Sequence, residues 1–122
     1  MKIALNSTHK SPFLSTNSYF HQDMRYGGFA YIITNQYNTV LYTSVTSGLC
    51  GRIDEHRTKF YPKSFSAKYN CNKIVWYEFL PRIESAIERE KQIKAGSRKA
   101  KEKLINAYNP SWKDLWDEIQ DL

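Results

Sequence analysis

A mixed α/β or α+β domain is what the sequence predicts, and three observations predict it. Two short runs of β-branched and aromatic residues, 29–34 and 39–46, flank a four-residue polar connection. A third run, 73–80 (KIVWYEFL), is equally dense in strand formers and stops at Pro81. Beyond it, apolar residues recur at helical rather than alternating spacing, most clearly over 82–95. A chain of 122 residues is expected to form one domain with one substantial core.

In chain order, residues 1–26 are polar and lack a convincing period, which predicts an N-terminal extension ahead of a domain over 27–122. Gly27 and Gly28 break the chain before the first strand. Asn35–Gln36–Tyr37–Asn38 can turn it, because asparagine tolerates left-handed backbone geometry, so the first two strands are expected to pair as an antiparallel hairpin. In the second strand Val40, Tyr42, Ser44 and Thr46 alternate against Leu41, Thr43 and Val45, giving one more polar, potentially working face. Ser47 is the expected N-cap of a helix to about Thr58, with Leu49, Ile53 and His56 on one side and Arg52 at its edge. Residues 59–72 suggest a basic, aromatic-rich loop interrupted by Pro62. The helix over 82–95 has Ile83, Ala86, Ile87 and Ile93 on its apolar side, and Glu90 falls in the middle of that stripe. Gly96 stops it, and Ser97 is placed to cap a basic helix over 98–108 with Leu104, Ile105 and Tyr108 facing inward. Asn109–Pro110 turns the chain, and Ser111 starts a short closing helix whose Trp112, Leu115, Trp116 and Ile119 dock on the core.

Composition narrows the function classes. No apolar run is long enough to span a bilayer, and the first residues lack the apolar stretch of a secretory signal. Cys50 and Cys71 are too few and too irregularly placed for a disulfide framework or a zinc site, which points to structural thiols in a cytoplasmic protein. The net charge is +6, but the segment from Asn109 onward holds one lysine against four acids, so residues 1–108 are more basic than the total. Residues 57–73 carry five Lys or Arg and no acid. A field of that sign favours a polyanion, although mildly basic proteins without such a partner are common. Arg57, Lys59, Lys63, Lys68, Lys94 and Arg98 are the side chains expected to meet nucleic-acid phosphates.

Several residues carry chemistry suited to a phosphodiester. Such a bond is cut by an activated water, with a cation near the non-bridging oxygens and help for the leaving oxygen. Tyr31 and Tyr42, eleven positions apart, can exchange protons through their phenols. Arg52 offers a fixed guanidinium fork, His56 a proton carrier near neutral pH, and Glu90 a ligand for one divalent cation. Each also has a structural reading. Strand tyrosines pack across strands, a histidine on an apolar helix side is more often a hydrogen-bonded core residue, and an arginine at a helix edge is usually solvated. Glu90 is the sharpest oddity: an unpaired buried carboxylate costs roughly several kcal/mol, so it needs a partner, a metal or a wet cleft.

Taken in order, these pieces resemble the GIY-YIG nuclease superfamily, and most closely the short bacterial proteins related to the N-terminal nuclease domain of UvrC, often called URI domains. The likeness covers about Gly28 to Ile119. Phe29–Ala30–Tyr31 stands at the first motif, Tyr42–Thr43–Ser44 at the second, and LYTSVTSGLCGRIDEH follows the family run that ends in Arg and His. AIEREKQIK resembles the helix with the metal-binding Glu, and NPSWKDLW the closing segment of the short members.

The resemblance implies a three-stranded antiparallel sheet flanked by helices, and a divalent-metal-dependent DNA endonuclease that prefers structured DNA in repair or processing. It makes Tyr31 the general base, alone or with Tyr42, and Arg52 the stabiliser of the pentacovalent phosphate. His56 would assist proton transfer, Glu90 would bind a single Mg²⁺ or Mn²⁺, and Asn109 would be an accessory residue. Ser44 replaces the glycine of the second motif. Its hydroxymethyl group can crowd the site, and this motivates the alternative of a nucleic-acid-binding module that no longer cuts.

Overall fold

The computed structural model describes residues 26–122. The N-terminal extension expected over 1–26 lies, apart from Tyr26, outside the described residues. Three strands, β1 (Gly28–Thr34), β2 (Leu41–Thr46) and β3 (Lys73–Leu80), form one sheet in the order β2-β1-β3 with both pairings antiparallel. Central β1 is buried along its whole length, which is why its sequence is continuously apolar rather than alternating. Asn38 adopts φ 59° and the Asn35 side chain accepts from Thr39 N at 2.8 Å, so the two asparagines make the hairpin turn.

Two cores lie against the sheet. On one face Phe29, Tyr31, Ile33, Tyr77 and Phe79 pack with Leu49 and Ile53 of α1 (Leu49–Thr58) and with Leu115 and Ile119. On the other, Ala30, Ile32 and Trp76 meet Ile93 of α3 (Ile83–Ala95) and Ile105 of α4 (Arg98–Tyr108). A register shift opposite Ile32 and Ile33 turns both Val75 and Trp76 to this second face, while Ile74 and Tyr77 serve the first. Gly27 is needed for close approach, because an added Cβ would lie 2.6 Å from the backbone Leu80 O, whereas at Gly28 the nearest atom, 2.5 Å away, is the movable end of the Ile83 side chain.

Four local expectations are corrected. The α1 N-cap is Gly48, not Ser47, and the Thr46 hydroxyl oxygen accepts from Gly48 N at 3.1 Å. The 59–72 segment is not all loop: Ser64 caps a short helix, α2 (Phe65–Lys68), by accepting from Ala67 N. Ile87 and Tyr108 are exposed rather than inward, because the sheet covers a narrower arc of each helix than the apolar stripe suggests. The closing helix is only α5 (Trp116–Ile119). Upstream of it the Asn109 amide bonds Val75 O and Lys113 O, Asp114 Oδ1 accepts from Ile74 N and Trp116 N, and Trp112 takes φ 54°. Side-chain hydrogen bonds to backbone thus replace the first helical turn. Ser97 does cap α4, accepting from Ala100 N.

Candidate active site

The antiparallel register sets Tyr31 opposite Ser44, so both side chains leave the sheet on the α1 face. Helix α1 then presents Arg52 and His56 one turn apart toward the same place. Tyr31 Oη and His56 Nε2 are 2.9 Å apart, and His56 Nδ1 lies 2.9 Å from Ser66 Oγ on α2. The Tyr42 ring meets the His56 ring edge-on, with centroids 6.0 Å apart. Arg52 pairs with Glu55 at 2.9 Å, lies over the Tyr61 ring, and is close enough to the Tyr31 phenol to act on it. Tyr42, Arg52, Glu55, His56 and Tyr61 line one open cleft of about 340 Å³. Tyr31 is fully buried and stands behind His56 instead of in the cleft wall.

Burial decides the protonation states. It pushes the Tyr31 phenol above its usual range, only partly offset by the Ser44 hydroxyl and the Arg52 charge, so Tyr31 is a neutral donor at neutral pH. Burial, reinforced by Arg52, lowers His56 to about 4 against a smaller opposing effect of Glu55. A neutral imidazole donates from one nitrogen and accepts at the other. With Tyr31 donating to Nε2, Nδ1–H donates to Ser66 Oγ. Cys71 is buried and its thiol is raised to about 11, which makes it unreactive.

The structure brings Tyr31, Tyr42, Arg52 and His56 together, but not Glu90 by direct contact. Glu90 is buried on α3, against the other face of the sheet, and its carboxylate pairs with Lys94 Nζ at 2.7 Å. The partner is one turn along the same helix. The link to the cleft is electrostatic: the Lys94 ammonium is felt together with the Tyr42 phenol of the edge strand. No group of three or more His, Cys, Asp or Glu side chains is gathered for a metal among the described residues. A lone carboxylate already satisfied by a half-exposed ammonium still fits Mg²⁺, which keeps most of its waters and takes one or two carboxylates plus substrate phosphate oxygens. Asn109 spends both amide hydrogens and its oxygen on backbone groups of the C-terminal segment and β3.

The family model for the GIY-YIG catalytic domain matches residues 27–109. The chain belongs to the GIY-YIG family. No curated protein and no solved structure matches it. The GIY-YIG domain implies a nuclease-type function on a nucleic-acid substrate, and nucleases of this family generally use a divalent metal. The matched span contains the whole sheet and helices α1 to α4, in agreement with the α+β fold. No helix among the described residues is long and apolar enough to cross a membrane.

Sequence reasoning missed three members of the constellation. Ser66 was illegible, since nothing local relates it to a histidine ten residues earlier. Ser44 was noticed only as a departure, yet it sits at the Tyr31 phenol. Glu55 was visible as an acid three residues after Arg52, a spacing that pairs side chains on a helix. Among the expected phosphate contacts, Arg57 bonds Asp114 and stacks on Trp116, and Arg98 bonds Glu102 and the carbonyls of Asn38 and Thr39. Both arginines are tied into the fold. Lys59, Lys63 and Lys68 are exposed on the segment beside the cleft.

Proposed function

We propose that this GIY-YIG domain is a divalent-metal-dependent DNA endonuclease that hydrolyses phosphodiester bonds, with a preference for DNA structure over sequence and a place in DNA repair or processing. The observation that carries the reading is the hydrogen-bonded Tyr31–His56–Ser66 chain behind a cleft walled by Tyr42 and Arg52.

Arg52 faces the cleft with one guanidinium nitrogen on Glu55, which fixes the fork for the charge that develops on phosphate oxygens. Tyr31 relays the proton of the attacking water to neutral His56: one water O–H breaks, the phenol O–H is lost and re-formed, and one imidazole N–H forms. Ser66 holds the ring in the tautomer that receives this proton. Tyr42, edge-on to His56, positions the water. Glu90, whose carboxylate is paired with Lys94, is the residue that would hold Mg²⁺ or Mn²⁺. The chemistry supplied when such an ion is bound is neutralisation of charge on the scissile phosphate.

The test is incubation with branched, single-stranded and duplex DNA in Mg²⁺ or Mn²⁺. Cleavage that Glu90→Gln abolishes supports the reading, and cleavage unchanged by Glu90→Gln, or none on any substrate, removes it. The second reading, a binding module that no longer cuts, is favoured by one observation: Tyr31 is sealed behind His56, with Ser44 beside its phenol. Under that reading Ser44→Gly restores cleavage.

A further inference from the structure

Eight large hydrophobic side chains are exposed among the described residues, and four of them fall between 60 and 69. They are not scattered. The Tyr42 ring of the cleft stacks on Phe65 with centroids 5.8 Å apart and planes 22° apart, and Phe65 meets Tyr69 at 4.7 Å. Phe65 is half exposed and Tyr69 about two-fifths exposed, with relative accessibilities of 50% and 41%. Tyr69 in turn lines a second, larger cleft of about 590 Å³ together with Tyr37, which is 73% exposed. Lys59 lines both clefts, and the Lys68 ammonium lies 5.7 Å from the centre of the Tyr69 ring. No acid occurs from residue 57 to residue 73.

An exposed run of rings costs free energy in water unless something covers it, and scattered surface apolar residues need no such account. The occupant must present flat apolar faces and regularly spaced negative charge. Single-stranded nucleic acid does both: its bases stack on aromatic side chains while lysines track its backbone. A duplex hides those base faces against one another, and an acidic peptide offers a flat face only where an aromatic residue interrupts its acids, not at every unit of its chain.

We propose that the ring run from Tyr42 through Phe65 to Tyr69, with Lys59 and Lys68 beside it, is a binding track for unpaired DNA leading away from the cleft. The inference rests on the nuclease reading of that cleft and specifies its substrate class: DNA in which an unpaired segment adjoins the bond to be cut. Stacking makes the track tolerant of base sequence, and the lysines make it salt-dependent.

The test is fluorescence anisotropy in EDTA, so that no turnover occurs, using labelled oligothymidine of about twelve nucleotides. An abasic deoxyribose-phosphate oligomer and a duplex of equal length are the comparisons. Oligothymidine is expected to bind the protein at least about tenfold more tightly than the abasic oligomer. Tyr69→Ala weakens oligothymidine binding roughly fivefold to a hundredfold and narrows that gap, and Tyr69→Trp preserves it. Tyr69 is exposed, and circular dichroism checks that each variant is folded. Equal binding of the abasic and thymidine oligomers, or a folded Tyr69→Ala protein with undiminished preference, overturns the proposal. Base-dependent binding by a chain that cuts no DNA would leave the track standing and remove the nuclease reading. Cleavage without base-dependent binding would do the reverse.

Discussion

At the scale of single residues, the site is governed by what burial does to proton affinity. A free histidine ionises near 6.5, whereas His56 in the fold does so at about 4. Between those values the unfolded chain holds a proton that the folded chain does not. The contribution of His56 to stability is therefore complete above about pH 6.5 and is lost as pH falls from 6.5 to 4. Thermal unfolding followed across that interval is expected to show a falling Tm, and the slope should flatten in His56→Gln. The same shift removes the usual histidine limb near pH 6.5 from the cleavage profile, because the neutral ring is already fully populated there. Arg52 is one cause of the low value, so Arg52→Ala should raise the His56 pKa in an NMR titration. The same substitution should lower the cleavage rate by about 10²–10³-fold with little change in DNA affinity, as expected for a group that stabilises developing charge. Loss of binding in proportion to rate would reassign it to simple phosphate anchoring.

At the scale of elements, α1 presents Arg52 and His56 on a helix with little local support. It has no side-chain N-cap bond, it ends on Lys59 in the left-handed region at φ 55°, and it contains Gly51. A Cβ at Gly51 would meet nothing within 4 Å. Gly51→Ala should therefore stabilise the protein by about 0.5–1 kcal/mol, a rise in the chemical-denaturation midpoint without a change in slope. If the midpoint falls, Gly51 is needed for a conformation other than this one. The element boundaries were legible to within two residues for all three strands and for α3 and α4, because hydrophobic period and the Ser97 cap act locally. The closing segment was not. Its helical spacing of Trp112, Leu115, Trp116 and Ile119 is real, but Asn109 and Asp114 spend their side chains on the backbone of β3 and the turn, and only the last turn stays helical.

At the scale of the molecule, the folding unit runs past the 27–109 span of the family match. Leu115 and Ile119 are core residues against Tyr31, Ile53 and Tyr77, and Leu115 N donates to Ile74 O at 2.8 Å. Tyr77 OH also donates to Glu118, tying the same segment to β3. Ile119→Ala should cost about 2–5 kcal/mol by leaving a cavity under the tyrosine layer. Because that layer supports Tyr31, cleavage should fall with stability, and both should be measured on one preparation. A loss below about 1 kcal/mol would mean that the C-terminal segment is dispensable for the core.

The sequence by itself determined the family, the antiparallel α+β framework, and which polar groups share one side of β2 and of α1. The family and its framework rest on the likeness of ordered motifs to a known family, and the shared faces rest on periodicity and short-range spacing, which are properties of neighbours in the chain. Only the tertiary structure decided that Tyr31 is sealed behind His56, that Ser66 bonds the other nitrogen of that ring, and that Glu90 sits on the far face of the sheet paired with Lys94. Each of these depends on how helices cross the sheet and on the burial that results, and a one-dimensional pattern carries neither.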